Sequence, residues 1–261
     1  MQLEIETVES FRRDGHVLVR GVATRDEIAA CRPVIQNVVA DVASRGDSQG
    51  RIDDYSKLFT QVTNVWRVND DARRVVFTTR WASIAAQLLG VPSVRLYHDQ
   101  ALFKPPGADR TPWHQDRYYW PLDTDLTLTM WLPLVDVTEE MGPTRFASSS
   151  HRARDLGDLE ISSNTDSRLA SMIEEHRWPV VSAPVFAGDA TFHAGGTVHS
   201  AGANRSDRVR EVLTVIYYAA NARVAEPAND NQRVDMEVFL PGTKPGDEAK
   251  SDLNPILFRS A

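Results

Sequence analysis

In the run Thr-Pro-Trp-His-Gln-Asp-Arg-Tyr-Tyr-Trp, residues 111–120, His114 and Asp116 stand two positions apart. In an extended segment that spacing puts an imidazole and a carboxylate on one face. A second imidazole from elsewhere completes a set of two histidines and one carboxylate, which holds Fe(II) while leaving positions open for reactants. Alone, His-x-Asp is a weak signal. A downstream segment, Gly188 to Arg210, strengthens it: His193 and His199 are followed by a turn rich in Gly, Asn, Ser and Asp, then by Arg208 and Arg210. The composition reads as strand, polar turn, strand. Such a hairpin places an Arg on the strand beside His199, where a planar guanidinium can fork onto the carboxylate of a diacid co-substrate. Spacing leaves two choices open. His193 and His199 share a face if their strand is regular, which Gly195-Gly196 makes doubtful, and Arg208 has the parity of Arg210.

The elements that must position these groups begin with Thr24-Arg25-Asp26-Glu27, a capping box, with Ile28, Cys31, Ile35, Val38 and Val42 at helical spacing behind it. Gly46 to Lys57 is polar and irregular, and Trp81 to Leu89 reads as a second helix stopped by Gly90. From Val94 the character changes. Val94 to Lys104, Thr127 to Val135, Pro184 to His199 and Arg210 to Ala219 are apolar or alternating runs separated by Gly, Pro and Asp clusters. Strands after helices, without regular alternation, argue against a Rossmann sheet and for a mainly β fold with flanking helices. A double-stranded β-helix, the cupin-like jelly roll, fits this order and would hold a metal at its mouth. One domain is expected over 1–261, with N-terminal helices and a supporting strand in 1–92, the jelly-roll core in 93–220 and a C-terminal extension in 221–261. From Leu240-Pro241-Gly242 that extension reads as surface coil able to fold over the mouth as a lid.

With 261 residues, 42% of them hydrophobic, the chain can bury one sizeable core. A net charge of -7 argues against nucleic acid or an anionic membrane as partner. A single cysteine, Cys31, excludes an intrachain disulfide framework and suits a reducing, cytoplasmic compartment. No stretch is long and apolar enough to span a membrane, and the start of the chain lacks a signal-peptide pattern. The sequence carries no signal for oligomeric state.

Taken together, the segments resemble the phytanoyl-CoA dioxygenase family of Fe(II)/2-oxoglutarate-dependent oxygenases over nearly the whole length. Phe11 to Val22 is similar to the family's first helix and strand. Phe103-Lys104-Pro105-Pro106 precedes His-x-Asp, Met130 to Asp136 follows it, and Met141-Gly142-Pro143-Thr144-Arg145-Phe146 leads to Ser150-His151. The most specific part is the distal His, an Asn-x-Ser turn and an Arg eleven positions on. The resemblance implies that His114, Asp116 and His199 bind iron and that Arg210 binds the C5 carboxylate of 2-oxoglutarate. It further implies that Gln100 and Trp131 line the co-substrate pocket. Thr129, on the face of Trp131, is expected to add a hydroxyl contact to the co-substrate, and Tyr118 and Tyr119 to line the substrate cavity.

The implied activity is O2-dependent hydroxylation, or another oxidation, of a small-molecule substrate with release of succinate and CO2. Retention of Asp116 argues against halogenation, in which relatives drop the carboxylate. This chain has Ala201 where the family usually has Ser, with Ser200 one position earlier, so co-substrate contacts are expected to differ. The alternative is a cupin-type metalloenzyme or metal-binding sensor that does not use 2-oxoglutarate, a reading that leaves Arg210 without a purpose. Among the other groups, His98 is expected as pocket lining or a structural histidine, His193 as a packed imidazole near the site, and His16, His151 and His176 as surface or loop groups. Lys57 and Gln61 stand close enough in sequence to reach the site. Arg145, Arg152 and Arg154 are thin support for binding a CoA ester.

Overall fold

The computed structural model describes residues 1–44, 59–153, 156 and 159–260. Gly46 to Lys57 and Arg154 therefore lie outside the described residues. The helices are α1 (Ile5–Asp14), α2 (Arg25–Ser44), α3 (Asp70–Val76), α4 (Thr79–Leu89), α5 (Ser163–Glu175) and α6 (Asp230–Phe239). The strands are β1 (His16–Val19), β2 (Thr60–Thr63), β3 (Ser93–Lys104), β4 (Thr111–His114), β5 (Thr127–Pro133), β6 (Thr144–Ala147), β7 (Val180–Ser182), β8 (Ala190–Ala194), β9 (His199–Ala201), β10 (Arg210–Ala219) and β11 (Ile256–Arg259). The capping box forms as read: Thr24 Oγ1 accepts from Glu27 N, and Glu27 Oε2 accepts from Thr24 N.

The strands make two antiparallel sheets, a large one ordered β1-β8-β5-β10-β3-β11 with β2 also on β3, and a small one ordered β4-β9-β6-β7. Alternation along β3, β5 and β10 divides the large sheet's faces. Leu96, Ala101, Leu128, Met130, Leu132, Leu213 and Val215 pack into the main core with Ile28, Ile35, Trp81, Ile84 and Leu88 from α2 and α4. His98, Gln100, Thr129, Trp131, Arg210 and Thr214 face the other way, into a cavity shared with Thr144, His199 and Ser200 of the small sheet. One face thus holds the fold together and the other is free for chemistry.

Three expectations change here. Pro184 to His199 is not one strand: β8 ends at Ala194, Gly195-Gly196 turns, and β9 begins at His199 in the other sheet. Consequently β9 and β10 do not pair as a hairpin; β9 pairs with β4 and β6, and β10 with β3 and β5. Arg210 faces the site from the opposite sheet and does not lie beside His199 on a neighbouring strand. The C-terminal tail is not surface coil: Leu240 and Ala249 pack with Tyr97 and Trp120, Ile256–Arg259 form β11 on β3, and none of the described residues after Phe239 lines the cavity. The cavity is covered instead by α6, whose first turn is capped by Asn229 Oδ1 accepting from Gln232 N. Beside the small sheet, α5 starts behind Ser162, whose side chain accepts from Thr165 N.

One buried charge in the core face yields a stability prediction. Asp99 is fully buried on β3, and burial, partly offset by the backbone amides of Trp66 and Val65, pushes its carboxyl up to about 7. Between pH 4 and 7 the unfolded chain has lost this proton while the folded chain keeps it, so stability falls as pH rises through that window. Three pKa units correspond to about 4 kcal/mol at most. Asp99→Asn removes the dependence, and its advantage over wild type should be about 2–4 kcal/mol larger at pH 8 than at pH 4.5 in urea unfolding. Parallel stability curves for the two proteins would reject this account.

Candidate active site

His114 is the last residue of β4 and pairs in register with His199, the first of β9. Each ring is fixed the same way: His114 Nδ1 lies 2.8 Å from Pro112 O and His199 Nδ1 lies 2.9 Å from Thr197 O. A carbonyl only accepts, so the proton is on Nδ1 and each Nε2 presents a lone pair inward. Burial pushes both imidazoles down to about 4, which leaves them neutral and able to bind metal at neutral pH.

Asp116 is not on the strand, contrary to the extended reading of His-x-Asp. The ladder ends at His114, and Asp116 opens a short 3-10 turn, Asp116–Tyr119. Its carboxylate still meets the two imidazoles: Oδ1 lies 3.8 Å from His114 Nε2 and 3.6 Å from His199 Nε2. Donor atoms of His114, Asp116 and His199 all fall within 4.8 Å of one another, a cluster able to hold a metal ion. Oδ2 turns away and is held from the large sheet, accepting from Thr129 Oγ1 at 2.7 Å and from His193 Nε2 at 3.2 Å. Burial opposes ionisation of Asp116, but His199 and the other two imidazoles outweigh it and keep the carboxyl well below its ordinary range.

Arg210 lies on the opposite wall, buried to 3% exposure. Its Nη1 donates to Gly142 O, its guanidinium carbon sits 5.8 Å from the ring centre of Trp131, and no carboxylate pairs with it among the described residues. Burial alone pushes it down to about 10. Gly142 permits the contact because its backbone lies against Gly202, where a Cβ would come within 2.3 Å of the Gly202 carbonyl carbon. A buried cation with no counter-charge among the described residues, across the cavity from a metal-type donor set, fits an anionic chelator reaching from one to the other. Arg208 is exposed in the preceding turn, so burial separates two arginines that spacing could not.

Of the remaining expected residues, Gln100 and Trp131 line the cavity, and Gln61 also reaches it, donating its amide to Gln100 Oε1. Thr129 lines it too, with its hydroxyl committed to Asp116. The two tyrosines part company: Tyr119 faces the cavity, whereas Tyr118 lines a neighbouring surface pocket with Arg117, Asp125, Leu156 and Leu159. The turn explains this, because adjacent residues of a 3-10 turn diverge by about 120°. His98 lines the cavity, stacked at 4.1 Å on Phe239. His16 is no surface group: it stacks on Phe146 and lies 2.8 Å from Ser148 Oγ.

The cavity holds about 600 Å³. Its outer part is walled by residues that sequence reasoning missed, including Phe59, Asn64, Arg67, Ile161, Asp235 and Phe239. Only α6 left a readable trace, an Asn cap followed by Val234 and Val238 one turn apart.

A model of the family Phytanoyl-CoA dioxygenase (PhyH) matches residues 11–212. The probable alpha-ketoglutarate-dependent hypophosphite dioxygenase of Stutzerimonas stutzeri is 25% identical over 173 residues, which are 64% of this chain and 59% of that relative. The chain therefore spans less than two thirds of that relative's length. Among solved structures, the non-heme alpha ketoglutarate dependent carbocyclase SnoK from nogalamycin biosynthesis superposes with a TM-score of 0.80 at 29% identity, covering 98% of this chain and 96% of its own. The epimerase SnoN, in complex with Fe3+, alpha ketoglutarate and nogalamycin RO, gives 0.79 at 28% identity and 97% coverage of both chains.

Proposed function

Since the chain belongs to the phytanoyl-CoA dioxygenase family, we propose that it is an Fe(II)- and 2-oxoglutarate-dependent oxygenase acting on a small molecule. The observation that carries this reading is the pairing, across one cavity, of a convergent His-Asp-His donor set with a buried Arg210 that pairs with no carboxylate among the described residues. His114, Asp116 and His199 are assigned to the metal, and Arg210 to the C5 carboxylate of 2-oxoglutarate, with Trp131 beneath the guanidinium and Gln100 beside it. Bound Fe(II), 2-oxoglutarate and O2 supply the oxidising power for attack on a C–H bond, with succinate and CO2 released. The protein's own part is to keep both imidazoles neutral, hold the keto acid at both ends and shield the site beneath α6. A cupin-type metalloenzyme or sensor without 2-oxoglutarate does not account for Arg210.

Support for a double-stranded β-helix, and for one domain over the whole chain, comes from the two antiparallel sheets enclosing the site and from SnoK's coverage. No helix among the described residues is long and apolar enough to cross a membrane. A cytoplasmic setting is supported by Cys31, buried and unpaired.

The substrate is read as a molecule with an apolar ring body. The outer wall offers Phe59, Tyr119, Trp120, Ile161 and Phe239, and on α6 Val234 and Val238 are 44% and 47% exposed toward the mouth. The volume takes the keto acid and a second drug-sized molecule. Anaerobic addition of Fe(II) and then 2-oxoglutarate should give the weak visible absorption of a metal-chelated keto acid. In air, mass analysis should find succinate. A hydroxylated anthraquinone should stimulate that release and hypophosphite should not. Absence of succinate from metal-loaded protein would reject the activity; equal response to the two probes would reject only the ring-body reading.

A further inference from the structure

The two imidazoles of the site belong to one sheet, and the carboxylate is held by the other. His114 and His199 are register partners in the small sheet, each fixed by a backbone carbonyl two residues before it. Asp116, released from the ladder into a turn, has no such local support. What orients it is a second register pair, Thr129 on β5 opposite His193 on β8 in the large sheet. Both aim at the same oxygen, Oδ2, at 2.7 Å and 3.2 Å. A carboxylate cannot donate, so the hydroxyl and the imidazole are the donors, and His193 carries its proton on Nε2. Its Nδ1 is buried without a hydrogen-bond partner, so the ring has no other polar engagement.

Building on the metal reading above, we propose that Thr129 and His193 are positioning residues for the metal-binding carboxylate. With two donors on Oδ2, both of that oxygen's in-plane lone pairs are engaged, and Oδ1 alone is presented between His114 Nε2 and His199 Nε2. The protein then supplies three donor atoms and no fourth, which keeps room for a two-point chelator and O2 around a six-coordinate ion. The same grip ties the two sheets together at the point where their side chains must agree in position. It also separates His193 from its rival in the sequence, His199, because His193 touches the ligand and not the ion. Outer partners of this kind fix ligand orientation and affinity.

The test uses the full-length apo-protein and Co(II), titrated against a chromophoric chelator. T129V keeps the shape of the side chain and removes its hydroxyl, H193F removes the ring donor, and T129S restores the hydroxyl. T129V and H193F should bind Co(II) about 10–100-fold more weakly than wild type, with apo thermal midpoints unchanged, and T129S should bind nearly as wild type. Wild-type affinity in both T129V and H193F, or a weak T129S, overturns the proposal. A loss that tracks a fall in the apo midpoint also overturns it, by showing a merely structural role. Failure of the wild type itself to bind Co(II) would overturn the metal assignment beneath it, an outcome distinct from the others.

Discussion

His199→Ala should abolish the visible absorption formed by Fe(II) and 2-oxoglutarate, whereas His193→Ala should keep it at higher iron concentrations. The two imidazoles lie with ring centres 4.3 Å apart, both buried and both near Asp116, and His193 is the nearer to that carboxylate. Their hydrogen bonds separate them. His199 gives its Nδ1 proton to Thr197 O and turns a bare Nε2 toward Oδ1, while His193 spends its Nε2 proton on Oδ2. Removing His199 takes away one of three protein donors, which should cost well over the roughly 100-fold that loss of an outer partner costs. Removing His193 should cost about 10–100-fold in iron affinity and leave the chelate itself intact. The measurement is an anaerobic titration read at the absorption band for wild type and both variants. A band retained in His199→Ala and lost in His193→Ala would exchange their roles.

This distinction was only half legible in the sequence, for a physical reason. Parity along a strand assigns a face, and His193 and His199 share parity; what breaks the tie is the turn at Gly195-Gly196, which sends the chain from one sheet into the other. Which strand a run will pair with depends on contacts far away in sequence, such as β9 with β4 and β6. The same blindness made β9 and β10 look like a hairpin. Local chemistry was readable where local interactions decide, as in the capping box at Thr24 and Glu27 or the helix stop at Gly90, whose φ of 70° suits glycine. The pair His114 and Asp116 could be read from spacing and His199 only through the family resemblance, but neither the turn that carries Asp116 nor its grip by Thr129 was legible. The outer wall was illegible because Phe59, Arg67, Ile161 and Asp235 come from four separate segments, with no shared period to betray them.

Arg210→Met should weaken 2-oxoglutarate binding by about 10²–10⁴-fold and at the same time stabilise the apo-protein. The two effects have one cause. In the ligand-free protein Arg210 is a cation 3% exposed, paired with no carboxylate among the described residues and depressed to about 10 by burial. A folded-state pKa below the unfolded value means that the charged form is destabilising at every pH below that value, so an apolar side chain of similar length should raise apo stability by about 2 kcal/mol. When the keto acid binds, its far carboxylate supplies the missing counter-charge; with methionine there, that carboxylate is buried unpaired at a cost of about 3–5 kcal/mol, the basis of the affinity loss. Ligand stabilisation grows with saturation and reaches about 2.7 kcal/mol at a hundred times Kd. The unfolding curves should therefore cross, with the variant the more stable alone and the wild type the more stable with metal and saturating 2-oxoglutarate. Arg210→Lys should fall between, since an ammonium keeps the charge but loses the fork. Arg208→Ala, exposed in the turn, should leave both curves in place. If Arg208→Ala abolished binding while Arg210→Met left it unchanged, the guanidinium that meets the co-substrate would be the other one.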